Sequence, residues 1–357
     1  MKLFQRKKKR SKEITPQLTV YERRGLEFAG HNPGRLPDST YSQMEGDSMI
    51  QTALTIKKLA VLAAPWSIEP ASDSPADREK AEFVADVFDQ MDGSPNTILL
   101  QAMDAFSKGW SVQEIVYLVD GGKLKIRAVR AKNPSYFGLD IDEFGRIQNL
   151  KLQIPGIEER SLPTSKFVIY VNRKDYAQPK GRSDLDAAHE HWSTKQTLLK
   201  AWQLHLEKFA MPTVLGQYER GIPADERSAI LKALQDLQDN TAIVYPSEIS
   251  ITTLGGNKEP SSGFQEAIEF HNREMARAVL GQTLTTDEGR RVGSLALGKV
   301  HLQVLLLQIA ALRRELADVV MTEQIIQPLV EANFGPGTTP RFEFEDVENN
   351  VFRGGRL

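Results

Sequence analysis

Few residues in this sequence are spaced for chemistry. His189-Glu190-His191 sets two imidazoles at i and i+2, which on a helix point apart and do not close on one metal ion. Two half-exposed helix histidines are the expected outcome. Asp140, Asp142 and Glu143 are candidates for a cation site or an acid–base carboxylate pair, but the run Asp142-Glu143-Phe144-Gly145 reads better as a hairpin turn. Between Gly255 and Gly263 the Gly, Lys and Ser residues stand in the wrong order for a phosphate-binding loop. The chain has no G-x-S-x-G elbow, no H-E-x-x-H pair and no cysteine, which removes the thiolate nucleophile, the thiolate zinc site and the disulfide framework. Trp192 and Trp202 lie on one long apolar stripe. Stacking on bases would need them exposed in a basic groove; packing between helices suits the stripe better. The reading is a chain with no catalytic residue, no metal and no cofactor.

The elements that would position these residues divide the chain by texture. The first forty residues, rich in Pro, Gly and charge, read as arm and loop. A helix is expected over 42–62, with Met49, Leu54, Leu59 and Leu62 at helical spacing, and 65–70 switches to an extended piece. A second helix is expected over 75–91, with Phe83, Val87 and Phe88 inward, and a third over 98–107. Residues 111–119 and 124–129 around Gly121-Gly122 read as one hairpin, 136–141 and 147–153 as another. Residues 167–171 read as a short buried strand. Residues 41–180 therefore predict a mixed α+β unit.

Beyond residue 180 the apolar spacing turns helical over long stretches. Ser183-Asp184-Leu185-Asp186 has capping-box spacing, and Leu185, Ala188, Trp192, Leu199, Trp202, Leu206 and Phe209 then recur at threes and fours, with Lys195 in one slot. This predicts a helix over 183–210, about 27 residues or ~40 Å long. Residues 213–218, 242–245 and 249–254 read as strands, 223–237 as an amphipathic helix, and 262–280 as a further helix. After a loop at 282–293 the longest helix begins at Ser294 and runs to about 331, with Leu302, Leu305, Ile309, Leu312, Leu316, Val319 and Ile326 as its stripe. Pro328 is expected to kink or end it, and 341–345 alternates like an edge strand. Such long helices around a small strand-bearing insert do not fit one ordinary core. Helices with single apolar stripes pack side by side, within a chain or between copies.

Composition narrows the class. The chain has 357 residues, 40% hydrophobic and 26% charged, close to average soluble proteins, which excludes collagenous and wholly disordered chains. Net charge is −2, unevenly spread. Lys2, Arg6, Lys7, Lys8, Lys9, Arg10 and Lys12 make the start basic, while the rest carries 38 bases against 47 acids. No apolar stretch follows the basic run, so it does not read as a signal peptide. It reads as a solvated arm, or one that touches nucleic acid or an acidic partner. The most apolar stretch, 300–312, is interrupted by His301, Gln303 and Gln308, so no membrane span is expected.

The order of pieces resembles a known family. The segments LAVLAAPWSIEP at 59–70, AFSKGWSVQEI at 105–115, WSTKQTLLKAWQLHLEKFAMPTVLG at 192–216, NREMARAVLGQTLTTDEGRRVGS at 272–294 and ALGKVHLQV at 296–304 are, in this order and spacing, similar to those of the Mu-like portal proteins of tailed bacteriophages. The resemblance covers about residues 41–335. It implies an α+β portal fold: a basic arm (1–40), a wing (41–180), a first stem helix (181–211), a small α/β clip (212–258), a second stem helix (259–281), a tunnel loop (282–293), a long kinked helix (294–335) and a tail (336–357). Members often continue further than Leu357, so a large C-terminal crown is not expected.

The resemblance further implies a homo-oligomeric ring, typically of twelve subunits, at one capsid vertex of the virion. Double-stranded DNA would pass through it, and the major capsid protein, the terminase large subunit and a head-tail adaptor would be its partners. By position, Leu185, Trp192, Leu199, Trp202, Leu206, Phe264, Ile268 and Met275 would pack the stem, and Glu226, Lys232 and Asp236 would lie on the docking face of the clip. Gln282, Thr283, Thr285, Thr286, Asp287, Glu288, Arg290 and Arg291 would face DNA. The two acids and two bases of that loop cancel, as suits a channel in which DNA must slide rather than be gripped. The alternatives are another ring-forming head-tail component, a cytosolic α+β enzyme using Asp140, Asp142 and Glu143, and a DNA-binding regulator using the basic arm.

Overall fold

The computed structural model describes residues 35–174, 178–210, 214–218, 221–237, 242–246, 261–282 and 295–345. The chain forms two compact units. One comprises Met1–His189 with Met275–Leu357, the other Glu190–Glu274.

The first unit opens with helices α1 (Asp38–Glu45) and α2 (Ser48–Leu62). The single helix expected over 42–62 is thus interrupted at Gly46-Asp47, because Asp47 leaves the helical conformation and its carboxylate accepts the Met49 N–H as an N-cap. Strand β1 (Trp66–Glu69) follows, then α3 (Pro75–Gln90), α4 (Pro95–Ala102) and the single turn α5 (Ala105–Lys108). Helices α3 and α4 start alike: Ser74 and Ser94 accept N–H groups of the first turn, and a proline occupies the first position, where its missing N–H costs nothing.

Strands β2 (Trp110–Asp120) and β3 (Lys123–Lys132) form the expected hairpin, and both turn glycines have positive φ (58° and 75°), which a two-residue turn matched to strand twist requires. Strands β4 (Phe137–Ile141) and β5 (Ile147–Leu152) form the second hairpin. Strand β6 (Arg160–Pro163), which the sequence pattern did not mark, extends it. Strand β7 (Phe167–Val171) pairs antiparallel with β2. Trp110, Val112, Phe137, Leu150, Phe167 and Ile169 form one buried cluster that joins the β3-β2-β7 and β4-β5-β6 sheets.

The second unit contains α6 (His189–Ala210), β8 (Val214–Tyr218), α7 (Ala224–Leu237), β9 (Ala242–Pro246) and most of α8 (Ser261–Leu280). Helix α6 starts six residues later than its capping-box signal suggests. That signal is real but local: the Ser183 N–H donates to Asp186, and the Leu185 N–H to the Ser183 hydroxyl. The Ser183 hydroxyl in turn donates to the Ser107 carbonyl (2.5 Å), so this turn is tied into the first unit before the helix begins. Strands β8 and β9 pair in parallel across α7. The strand expected at 249–254 lies outside the described residues.

The long C-terminal helix departs from expectation in its winding. It runs as α9 (Leu295–Glu315), a π-helical segment (Leu316–Ile326) and α10 (Gln327–Phe334). From Leu316 onward its buried residues come in pairs: Leu316-Ala317, Val320-Met321, Ile325-Ile326 and Leu329-Val330. On a 3.6-residue helix Leu316 and Ile325 would stand about half a turn apart. Bonding to the fifth residue widens each turn and brings the pairs to one side. Pro328 does not end the helix, because it sits in the first turn of α10 just after the Gln327 N–H has bonded back to the Thr322 carbonyl. Leu302, expected on the inner stripe, is 45% exposed, while Leu305, Ile309 and Leu316 are buried.

This helix also closes the open edges of the central sheet. The Asn333 side chain accepts from the Leu124 N–H and donates to the Leu124 carbonyl, both at 2.8 Å, on the outer edge of β3. Gln324 does the same for Ile169 on the opposite edge, β7, at 2.8 and 3.0 Å. Each amide stands in for a neighbouring strand, which satisfies backbone groups and blocks edge-to-edge pairing. Strand β10 (Arg341–Phe344) pairs antiparallel with β1 and stacks Phe342 on Trp66 at 5.0 Å.

Candidate functional site

The helix pair of the second unit gathers most of the residues singled out for assembly. Trp202 on α6 lies parallel to Phe264 on α8, ring centroids 6.5 Å apart, with His205 against the same phenyl ring at 5.7 Å. Eleven residues earlier on α6, His191 meets His271, seven residues later on α8, so the two helices run antiparallel. Ile268 is buried on this face, and Trp192 and Phe264 are half-buried. Lys195, which interrupts the apolar stripe, is itself buried. Leu199, Leu204 and Leu206 remain 37%, 51% and 47% exposed, so α6 carries more apolar surface than α8 covers. The buried indole N–H of Trp202 and the buried side-chain carbonyl of Asn272 have no hydrogen-bond partner.

Two further residues expected in the stem fall within the first unit. Leu185 is fully buried, but in the turn before α6 and within the first unit. The buried Ser183–Ala188 turn, not the helix, claims it. Met275 is buried on α8 just inside the first unit. Gly281 ends α8 with φ 70° and its N–H on the Arg277 carbonyl, a left-handed helix end that glycine adopts without strain. Gln282 after it is buried. Thr283, Thr285, Thr286, Asp287, Glu288, Arg290 and Arg291 lie outside the described residues.

In the β8-α7-β9 unit, Glu226 and Lys232 are exposed on α7. Asp236 belongs to the same helix. Asp225, Glu226, Arg227 and Ser228 are exposed on α7, with the Arg227 guanidinium over the Tyr218 ring of β8 at 5.6 Å.

The chemistry-bearing clusters of the sequence resolve into structure. Asp142 accepts the Phe144 and Arg146 N–H groups and the Gln148 amide, each at 2.9 Å, closing the hairpin turn. Partial burial opposes ionisation there, but the Arg146 and Phe144 N–H groups, Gln148 and the Arg146 charge outweigh it and hold the carboxyl below its ordinary range. It closes the turn. A polar cavity of about 440 Å³ opens between α1, α4 and the ends of β2 and β3. Two of its carboxylates, Asp38 and Asp104, already hold Arg35 and Lys58. Among the described residues no cluster of three or more metal-ligating side chains occurs, and no helix is long and apolar enough to cross a membrane.

His191 and His271 are the pair that sequence reasoning missed. Their Nδ1 atoms are 3.0 Å apart and their rings 5.2 Å, with Phe270 edge-on to both. Only the shared placement of both histidines on faces that turn toward each other could have signalled the contact, and that requires knowing how the helices pair.

Two long antiparallel helices that carry a small β-α-β unit and are joined to an α+β body form the architecture of a phage portal or neck subunit. A solved structure described as "Neck of native GTA particle computed with C12 symmetry" has the same fold, with a TM-score of 0.60 at 14% identity over 94% of this chain and 92% of that one. The chain belongs to the family described as "Portal protein of Mu bacteriophage", whose profile matches residues 39–351. Relatives include the "Mu-like prophage FluMu protein gp29" of Haemophilus influenzae, 26% identical over 87% of this chain and 61% of that protein. The "Portal protein" of Escherichia phage Mu is 25% identical over 83% of this chain and 57% of that protein. The chain spans about three fifths of the length of these curated relatives. The family is one of structural portal proteins, not of enzymes.

Proposed function

We propose that copies of this chain form a ring, of twelve subunits in the leading reading, at one vertex of a phage capsid in the virion. The ring is the conduit for double-stranded DNA during packaging and ejection. The observation that carries this reading is the family match over 39–351, together with apolar side chains on α6 and α9 (Leu199, Leu206, Val304 and Leu307) that one protomer leaves exposed. Residues 41–180 form the wing against the major capsid protein. Helices α6 and α8 form the stem, and the loop 282–293 lines the channel, where Asp287 and Glu288 offset Arg290 and Arg291. Assembly takes place in the host cytoplasm. Electron microscopy of the purified protein is expected to show end-on rings with an open centre; a monodisperse monomer at micromolar concentration would overturn the reading.

The β8-α7-β9 unit is the clip in this reading, and its exposed helix docks the terminase large subunit during packaging and a head-tail adaptor afterwards. Glu226→Lys and Lys232→Glu are expected to leave rings intact, since both side chains are exposed. Juxtaposing like charges across a docked face costs several kcal/mol, so motor binding falls by at least ~tenfold. Co-sedimentation of rings with terminase checks this. Unchanged binding and packaging in both variants would move the docking face elsewhere.

A further inference from the structure

We propose that the His191–His271 contact is an acid-sensitive latch between α6 and α8, closed while the two rings share one proton and forced apart when each carries its own. With both rings neutral, or with a single proton added, one Nδ1–H donates to the other Nδ1 across the 3.0 Å gap. A second proton turns both nitrogens into donors. Two cations then face each other at hydrogen-bond distance with no acceptor between them. Phe270 packs edge-on against both rings and offers neither nitrogen an acceptor.

The charged groups around the pair set the balance. Glu190 on α6 and Glu274 on α8 lie close enough to favour the charged ring. Lys195, buried on α6, lies one helical turn beyond His191. Burial and then the neighbouring His191 outweigh the two carboxylates, and His271 titrates below its ordinary value. The sign follows. A separated histidine takes up a proton near pH ~6.5, the paired one only at lower pH. Separated helices therefore bind more protons, and the contact contributes its full stability above ~6.5 and loses it as pH falls below that value.

The test uses the full chain and needs no variant at first. Hydrogen exchange at the imidazole C2 position, read by mass spectrometry, follows each histidine separately. His271 is expected to take up its proton below the ordinary histidine value; an ordinary titration of His271 would overturn the latch. Backbone exchange, corrected for intrinsic rates, is then followed from about pH 7.5 to about pH 5, where histidine changes charge. Protection in 191–206 and 263–274 is expected to fall about tenfold for each unit of that depression, while the β2–β3 hairpin stays constant. His191→Gln and His271→Gln keep a polar side chain but remove the second charge, and each is expected to abolish the selective acid response. A response that persists unchanged in both variants would place the acid sensitivity in other groups.

Discussion

Replacing Trp202 by Glu is expected to part α6 from α8 and to leave the protein without rings. The indole stacks flat on Phe264 (interplanar angle 6°), and its N–H is fully shielded from water. Truncating a buried Trp costs about 3–5 kcal/mol when the site does not collapse; this ring is only half-buried, so packing alone supplies the lower part of that range. The carboxylate adds the larger part. It enters an aromatic pocket formed by Phe264 and His205, and an unpaired charge there costs several kcal/mol more or draws in water by opening the pair. In a closed ring every copy carries the same defect, so the loss is repeated at each subunit. Analytical ultracentrifugation and end-on imaging check the outcome, with Trp202→Phe as the control that keeps the stack. Normal rings from Trp202→Glu would remove this helix pair from the assembled stem.

The parts of the fold that local spacing determines were legible in the sequence. Gly121-Gly122 between alternating strands specifies its hairpin because only a positive φ at both positions matches strand twist. Phe167–Val171 reads as a buried strand because five apolar residues bounded by polar ones fit little else. The failures are equally physical. A helix search assumes a period of 3.6, so the paired apolar residues from Leu316 to Ile326 looked like one more α-helical stripe rather than a π winding. Ser183-to-Asp186 has the right residues for a helix start, but the Ser183 hydroxyl is taken by Ser107, 76 residues away, and the helix waits until His189.

Contacts between distant polar residues were not legible at all. Gln324 and Asn333 read as ordinary polar positions, although each completes the edge of a sheet formed 155 and 209 residues earlier. His191 and His271 are separated by 80 residues, and no local pattern brings them together. Leu199 and Leu206 were legible as apolar, but not as exposed in one protomer. The resemblance to the family came from segment order, and the long stripes leave apolar helix surface exposed, as an interaction face does.

Asp184→Ala is expected to destabilise the first unit by about 3–5 kcal/mol, the cost of leaving a buried partner charge uncompensated. The Asp184 side chain is wholly buried. One oxygen accepts from Lys57 at 2.6 Å; the other meets Asn172 at 3.2 Å and Arg173 at 3.1 Å. Arg173 is more than half exposed and can turn to water, so it adds little. Lys57 cannot: its side chain is 11% exposed, and its ammonium lies 4.5 Å from the centre of the Phe106 ring. Asp184 also joins three separate pieces of chain, two through its carboxylate and one through its backbone. Lys57 comes from α2, Asn172 follows β7, and the Asp184 N–H itself donates to the Phe106 carbonyl. Close behind them, Gly181 has φ 67°, and a Cβ there would stand 2.2 Å from the Asn172 carbonyl, so the backbone has no slack with which to repack. Denaturant unfolding of the first unit, followed by the fluorescence of its buried Trp110, measures the loss. Lys57→Met with Asp184→Leu removes both charges and is expected to recover most of it, since a buried ion pair is costly mainly when it is halved. If Asp184→Ala unfolds at the same denaturant concentration as the parent, Lys57 has found water, and the turn before α6 does not depend on the Asp184 carboxylate.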